Sequence, residues 1–384
     1  MKRWFFCSLI IVSLISQPVF AFSPQQSTQV GIATGGSLLN MSPDALHQRL
    51  VDIKALGATW IRVDFSWPVI QPKNSQSYDF RFHDKVVIAA EKAGLKVMGL
   101  LAYTPKWART NRCMAAVGSS ERSQQKCIPR DNHEFANFAR TVAWRYRDHN
   151  IHAWEIWNEP NITGYWKDVN RRGELEIHPA VYARLATRTG NAIHGVDPHV
   201  TVVTGGMSPM FEPALRRGMR QSDFLRAMLP YLTKGGVDAI GIHPYTWPAT
   251  PRKTADWNAF YTVDKGKPQY NLHDILGKAN RGDLQIWATE YGASTVGETP
   301  THAATRSRRA DHVDEQLQAE SMREAVEDWR LKPNVGPIFI YSDRDLYLPQ
   351  HKNEGGFGLR RKDGTEKPAY QALKNTVSNF SAQQ

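Results

Sequence analysis

Short runs of Val, Ile, Leu and aromatic residues alternate with longer amphipathic stretches from residue 30 almost to residue 384. The apolar runs fall at 30–32, 60–65, 96–101, 153–157, 201–204, 239–243, 285–290 and 337–341. Runs this short, bounded by turn residues, predict strands. Several, such as Ala239-Ile240-Gly241-Ile242, are apolar at nearly every position instead of alternating, as a parallel strand covered on both faces requires. Between them apolar positions return with helical spacing at 43–56, 82–93, 132–147, 179–194, 222–232, 272–279, 310–329 and 368–376. Ser42 before Pro43, and Ser222-Asp223, place a side-chain acceptor at the start of the first and fifth helices.

Eight strand–helix pairs in unbroken order predict an α/β chain of the (β/α)8 TIM barrel type. No Gly-x-Gly-x-x-Gly follows the first strand, which favours the barrel over a dinucleotide fold, and the glycines from Gly31 to Gly36 are read as a turn-forming loop. The barrel is expected to occupy 22–384 as a single catalytic domain with no appended β-sandwich. The long connections 102–131, 244–271 and 342–367 all follow strands, where a barrel enlarges its substrate face.

Composition narrows the classes. With 41% hydrophobic and 22% charged residues the chain is neither disordered nor a coiled coil. Its formal charge of +11 points to an anionic partner, but the basic residues are scattered and form no stripe, so nucleic acid is not expected. The densest clusters, Arg306-Ser307-Arg308-Arg309 and Arg216-Arg217, read as solvated charges. Lys2 and Arg3, an apolar run over 5–15 and Pro18-Val19-Phe20-Ala21 read as a signal peptide over 1–21. That run is shorter than the ~20 residues that cross a bilayer, so an exported, periplasmic or secreted monomer without stable membrane insertion is expected. Cys7 leaves with the signal, and Cys113 and Cys127 are then expected to pair in an oxidising compartment. Two cysteines are too few for a zinc site, and neither a metal nor another cofactor is expected.

The fourth apolar run ends in Trp157-Asn158-Glu159-Pro160, and the seventh in Thr289-Glu290-Tyr291-Gly292. Barrel active sites gather at the C-terminal ends of strands, so Glu159 and Glu290 should meet across the barrel mouth. A carboxylate at the end of an apolar strand is costly to desolvate unless it has partners or a task. Glycoside cleavage is a task that needs two positioned carboxyl groups, one protonated and one ionised. A separation of about 5–5.5 Å lets the ionised one attack the sugar, and a wider gap admits water.

Through these residues the chain resembles the retaining glycoside hydrolases of the large barrel clan, clan A, whose fourth strand ends in Asn-Glu-Pro and whose seventh ends in a nucleophilic glutamate. The resemblance implies that Glu159 is the acid/base, Asn158 binds the sugar 2-hydroxyl and Glu290 is the nucleophile. Arg62, in Trp60-Ile61-Arg62-Val63-Asp64, matches the arginine that keeps the nucleophile ionised. His243 and Tyr245, in Ile242-His243-Pro244-Tyr245, match a histidine that meets substrate and a tyrosine that touches the nucleophile. The segment Thr104-Pro105-Lys106-Trp107 and the length of the chain look most like glycoside hydrolase family 39, which includes β-xylosidases, iduronidases and bacterial endoglycosidases tied to exopolysaccharide. At the eighth strand this chain departs from the clan, with Tyr341 where a tryptophan platform is common.

Flat aromatic rings pack against sugar faces, which makes Tyr103, Trp107, Trp166, Trp247 and Tyr341 candidate substrate-binding residues. Trp144 and Trp329 fall inside helical patterns and are expected in the core, and Asp343-Arg344-Asp345 reads as salt bridges at the rim. The resulting expectation is an endo-acting β-glycosidase on a bacterial exopolysaccharide. Its rivals are a transglycosidase, in which Glu290 passes the sugar to another carbohydrate, and a polysaccharide-binding barrel without turnover.

Overall fold

Parallel strands close into a barrel in strict chain order, each hydrogen-bonded to its neighbours in sequence and the eighth to the first. They are β1 (Val30–Gly35), β2 (Trp60–Ser66), β3 (Lys96–Ala102), β4 (Ile151–Ile156), β5 (Thr201–Thr204), β6 (Ala239–Ile242), β7 (Gln285–Tyr291) and β8 (Val335–Ile340). A helix follows each: α1 (Pro43–Ala55), α2 (Arg81–Lys92), α3 (Asn132–Tyr146), α4 (Pro179–His194), α5 (Gln221–Met228), α6 (Leu272–Lys278), α7 (Glu315–Trp329) and α8 (Pro368–Ser381). This computed structural model describes residues 29–210, 217–295, 312–346 and 355–381. The expected signal peptide, Arg216 and the Arg306-to-Arg309 cluster lie outside the described residues. Within them, no helix is long and apolar enough to cross a membrane.

The caps account for the helix starts. Ser42 accepts from the Ala45 amide at 3.4 Å, as its place before Pro43 predicts. Asp314 accepts from Leu317 at 2.7 Å and starts α7 at Glu315, later than the hydrophobic pattern places it. Ser222 is not a cap: α5 begins at Gln221, and Ser222 lies buried in its first turn. The Gln221 amide donates inward to the carbonyls of Met207 and His243 at 2.6 and 3.2 Å, which anchors the helix start ahead of the serine.

Each strand contributes one residue to a layer inside the barrel: Ala33, Trp60, Met98, Ala153, Val203, Ala239, Trp287 and Phe339 form a closed cluster. Trp60 meets Trp287 and Phe339 nearly edge-on, with ring centroids 5.7 and 6.1 Å apart. These rings fit because their neighbours are glycines. A Cβ on Gly31 would lie 2.4 Å from a Phe339 ring carbon, and one on Gly336 would lie 2.0 Å from the Trp287 indole nitrogen. The opposite strand faces, among them Ile61, Val63, Phe65, Trp154, Ile156 and Ile240, pack against the helices. Trp329 joins that layer at 1% exposure, but Trp144 is 57% exposed. Phe138, Ala139, Val142 and Tyr146 form the inward stripe of α3, and Trp144 stands on the other side with Arg147 over its ring.

The long segment after β3 is stapled by a disulfide between Cys113 and Cys127, as expected for an oxidising compartment. It is tied to the strand end, because the Thr104 amide donates to Gln125 at 2.8 Å and its hydroxyl to the Cys127 carbonyl at 2.6 Å. Beyond β8, Arg49 grips Asp343 with two bonds of 2.6 and 2.8 Å, and Lys367 meets Asp345 at 2.8 Å. These salt bridges join α1 and the start of α8 to the strand exit. Replacing both Cys113 and Cys127 by Ser should lower resistance to urea by about 3 kcal/mol, the loop-closure value for about 15 residues. Far-UV circular dichroism should show the folded signal unchanged before the transition, and an unaltered midpoint would show that the staple contributes nothing.

Candidate active site

Side chains alternate along β2, so Trp60, Arg62 and Asp64 turn inward while Ile61, Val63 and Phe65 meet the helices. Arg62 is 1% exposed and distributes its donors to three partners. Its Nε donates to Glu155 at 2.5 Å, one terminal nitrogen to Glu290 at 2.6 Å and the other to Asn158 Oδ1 at 3.0 Å. Burial works against this charge, but Glu155 and Glu290 outweigh it and raise the guanidinium pKa above its ordinary value. Glu155 also accepts from the Gly206 amide at 2.8 Å, so both of its oxygens are satisfied. Sequence reasoning left Glu155 unassigned. The available signal was an acidic residue within the β4 run, two positions after inward-facing Ala153 and thus on the same side.

After β4 the backbone turns through the left-handed region, with φ of 70° at Trp157 and 47° at Glu159. Such values are uncommon for residues other than glycine and persist where surroundings enforce them. Here the Trp157 amide donates to Leu101 at 2.9 Å, and its indole donates to Tyr165 at 2.9 Å. The Glu159 amide donates to Gly206 at 3.0 Å. Trp157 is fully buried against Tyr103, Phe135 and Trp166, so the turn delivers Asn158 and Glu159 into the mouth.

From β7, Glu290 receives the Tyr245 hydroxyl at 2.8 Å in addition to Arg62. His243 Nδ1 lies 3.0 Å from Glu159 and 3.5 Å from Glu290. Two oxygens at 3.0 and 3.5 Å from one nitrogen stand no more than 6.5 Å from each other. Burial would raise the Glu290 pKa, but the charges of His243 and Arg62 and the bonds from Tyr245 and Arg62 hold it below the ordinary glutamate value. Burial likewise disfavours charge on His243, yet Glu290 and Glu159 raise its pKa. Burial and the adjacent Glu290 raise Tyr245 well above the ordinary tyrosine value, so its hydroxyl keeps its proton and donates. Gly206 makes room for the histidine: a Cβ there would lie 2.2 Å from His243 Nε2 and 2.3 Å from Thr289 Oγ1.

The aromatic candidates divide. Tyr103 is half-buried at the mouth, and its pKa is raised by burial, then by Tyr165 and by the charges of Asp64, Glu159 and Glu290. Tyr341 packs on Phe357 at 5.3 Å, and Phe357 in turn meets Tyr245 at 5.8 Å. Trp107 and Trp247 are half-buried against the main core, and the Trp107 indole donates to the Gln71 carbonyl at 2.8 Å. Trp166 is not a platform: it is 1% exposed between Trp157 and Tyr182, because the chain after Glu159 folds back and buries the ring. Among the described residues, no group of three or more His, Cys, Asp or Glu is arranged to hold a metal ion.

Comparison with known proteins sets this geometry in a family. A β-xylosidase of Geobacillus stearothermophilus is 25% identical over 241 residues, which make up 60% of this chain and 42% of that enzyme. The chain therefore spans less than half of that relative's length. Among solved structures, a family 39 glycoside hydrolase of the gut symbiont Bacteroides cellulosilyticus WH2 superposes with a TM-score of 0.62 at 20% identity, covering 92% of this chain and 64% of that one. A family 39 β-xylosidase of Caulobacter crescentus gives 0.62 at 19% identity, covering 92% and 72%. These likenesses establish the fold. The profile of the family described as Cellulase (glycosyl hydrolase family 5) matches residues 25–324, most of the chain. The protein therefore belongs to that glycoside hydrolase family, as a clan A barrel with a build like that of family 39.

Proposed function

We propose that the protein is an exported glycosidase that cleaves a polysaccharide with retention of anomeric configuration. The observation that carries this reading is the pair of carboxylates, Glu159 and Glu290, held on one imidazole nitrogen at the C-terminal mouth of the barrel. Glu159 Oε1 and Glu290 Oε2 stand no more than 6.5 Å apart, a bound that admits the about 5–5.5 Å of retaining enzymes.

In this reading a Glu290 oxygen attacks the anomeric carbon while the bond to the leaving oxygen breaks and Glu159 gives that oxygen its proton. A glycosyl ester forms on Glu290. Glu159, now ionised, takes a proton from water, whose oxygen attacks the same carbon and releases Glu290. Arg62 and Tyr245 keep Glu290 ionised for the first step. The carboxamide oxygen of Asn158 is held by Arg62, which leaves its N–H groups to meet the sugar 2-hydroxyl. The disulfide supports export, and the basic charge, +9 once Lys2 and Arg3 leave with the signal, suits an anionic exopolysaccharide cut internally. Likeness to a β-xylosidase adds β-xylosides to the first substrates to test.

Proton NMR of the fresh digest should show the product anomer with the configuration of the bond cut, before mutarotation; the opposite anomer first would reject double displacement. Glu290→Ala should lower turnover by orders of magnitude with an unchanged circular dichroism spectrum. Glu290→Gln should keep polysaccharide affinity in isothermal titration while losing cleavage, whereas a protein that only binds would have no cleavage to lose. Because Glu290 is held below the ordinary glutamate value, the acid limb of kcat/KM should lie below that value too. Tyr245→Phe removes a donor to the ionised form and should move this limb to higher pH in a kcat/KM profile; an unmoved limb would separate Tyr245 from the titration.

A further inference from the structure

One carboxylate at the barrel mouth takes no part in the reaction proposed above. Asp64 follows Trp60 and Arg62 on the inward face of β2, so alternation carries it one layer beyond Arg62 toward the mouth. Its backbone is fixed, because the ring of His83 donates to its carbonyl at 3.1 Å. Its carboxylate is half-buried, and among the described residues no hydrogen bond or ion pair reaches it. Arg62, on the same strand, spends its Nε and both terminal nitrogens on Glu155, Glu290 and Asn158. Gly35 and Gly36 present no side chain to cover Asp64: even a Cβ added at either would stop 3.7 or 3.8 Å from Oδ2.

Withdrawing a carboxylate from water without supplying donors costs free energy, and binding sites carry such groups where a ligand completes the set. We propose that Asp64 is a specificity-determining residue that accepts hydrogen bonds from two neighbouring hydroxyls of the sugar whose anomeric carbon meets Glu290. The assignment rests on the glycosidase reading and deepens it. An ammonium on an amino sugar would satisfy the same carboxylate, but a strongly basic chain repels a polycation, and neutral hydroxyls bring donors without that conflict. The surroundings agree: burial, opposed by Arg62 and reinforced by Glu290 and Glu155, pushes the Asp64 pKa up to about 6. The titratable and charged groups around it are Arg62 and neutral His83, with Glu155 behind Arg62 on the barrel side and Glu290 and the Tyr103 hydroxyl across the mouth.

The test compares wild type, Asp64→Asn and Asp64→Ala on the 4-nitrophenyl β-glycosides of xylose, glucose, galactose and mannose. It then uses the mono-deoxy and 2-amino analogues of the sugar that wild type cleaves best. Asp64→Ala should raise KM by about 10- to 100-fold, as loss of hydrogen bonds to a charged group predicts, with a much smaller change in kcat. Deleting a partner hydroxyl should cost wild type a similar factor and cost the variant nothing further. Wild-type KM should rise as pH falls through about 6, and Asp64→Asn should flatten that dependence. An unchanged KM, or losses that add fully with every deoxy substitution, would overturn the assignment. So would a wild-type preference for the 2-amino analogue that Asp64→Asn abolishes, since an ammonium would then be the ligand. If wild type cleaves none of the glycosides, the glycosidase reading fails and takes the assignment with it. That result is distinct from good turnover with an indifferent Asp64.

Discussion

A buried guanidinium on the second strand holds the barrel mouth together. Arg62 binds Glu155 and Asn158 from the fourth strand and its exit, and Glu290 from the seventh, so one planar cation sets the spacing between distant parts of the chain. A lysine would present one compact ammonium, not a fork able to meet three acceptors in different directions. The arrangement is demanding, because removing one member of a buried ion pair leaves an uncompensated charge and typically costs about 3–5 kcal/mol. Glu155 balances the arginine from behind, on the barrel side, and Glu290 balances it on the mouth side. The same bonds that stabilise the ion cluster hold the Glu290 carboxyl below the ordinary glutamate value, as the proposed attack on a sugar requires.

Around this cluster the backbone is shaped by close approach. Gly206 lies against His243 and Thr289, and its amide and carbonyl serve Glu155 and Glu159 respectively. The left-handed turn through Trp157 and Glu159 is held by the buried Trp157 ring and by amide bonds to neighbouring strands. Below, Trp60, Trp287 and Phe339 fill the barrel and give Arg62 a dry floor. A low-dielectric floor strengthens every charge interaction above it, which is why Asp64 is pushed up and Glu290 is held down within one pocket.

The aromatic residues show the limit of reading chemistry from residue type. Trp166 and Tyr103 both occupy segments that follow strands, yet Trp166 is enclosed by Trp157 and Tyr182 while Tyr103 borders the carboxylates. Trp144 and Trp329 both sit in amphipathic helices, and they end on opposite sides of the protein surface. For a large ring, exposure depends on which neighbours close over it, and those neighbours are distant in sequence.

The chain by itself pointed to the barrel class, because apolar runs too short for helices, separated by helical spacing, fit parallel strands covered by helices, and eight such pairs in unbroken order without a dinucleotide fingerprint match a closed barrel better than a doubly wound sheet. It also exposed Glu159 and Glu290, since an acidic residue ending an apolar strand stands out against its neighbours. The disulfide was legible for a similar reason, as Cys113 and Cys127 are the two cysteines outside the apolar run over 5–15. Tertiary structure decided the rest. Glu155 as the counter-charge of Arg62, Gly206 as the space for His243, Ser222 as a buried residue and not a cap, and Asp64 as a carboxylate that no donor reaches among the described residues all depend on how elements far apart in sequence come together. Periodicity records which face of its own element a residue occupies. What it meets there is decided only when the barrel closes and brings another strand within hydrogen-bond distance.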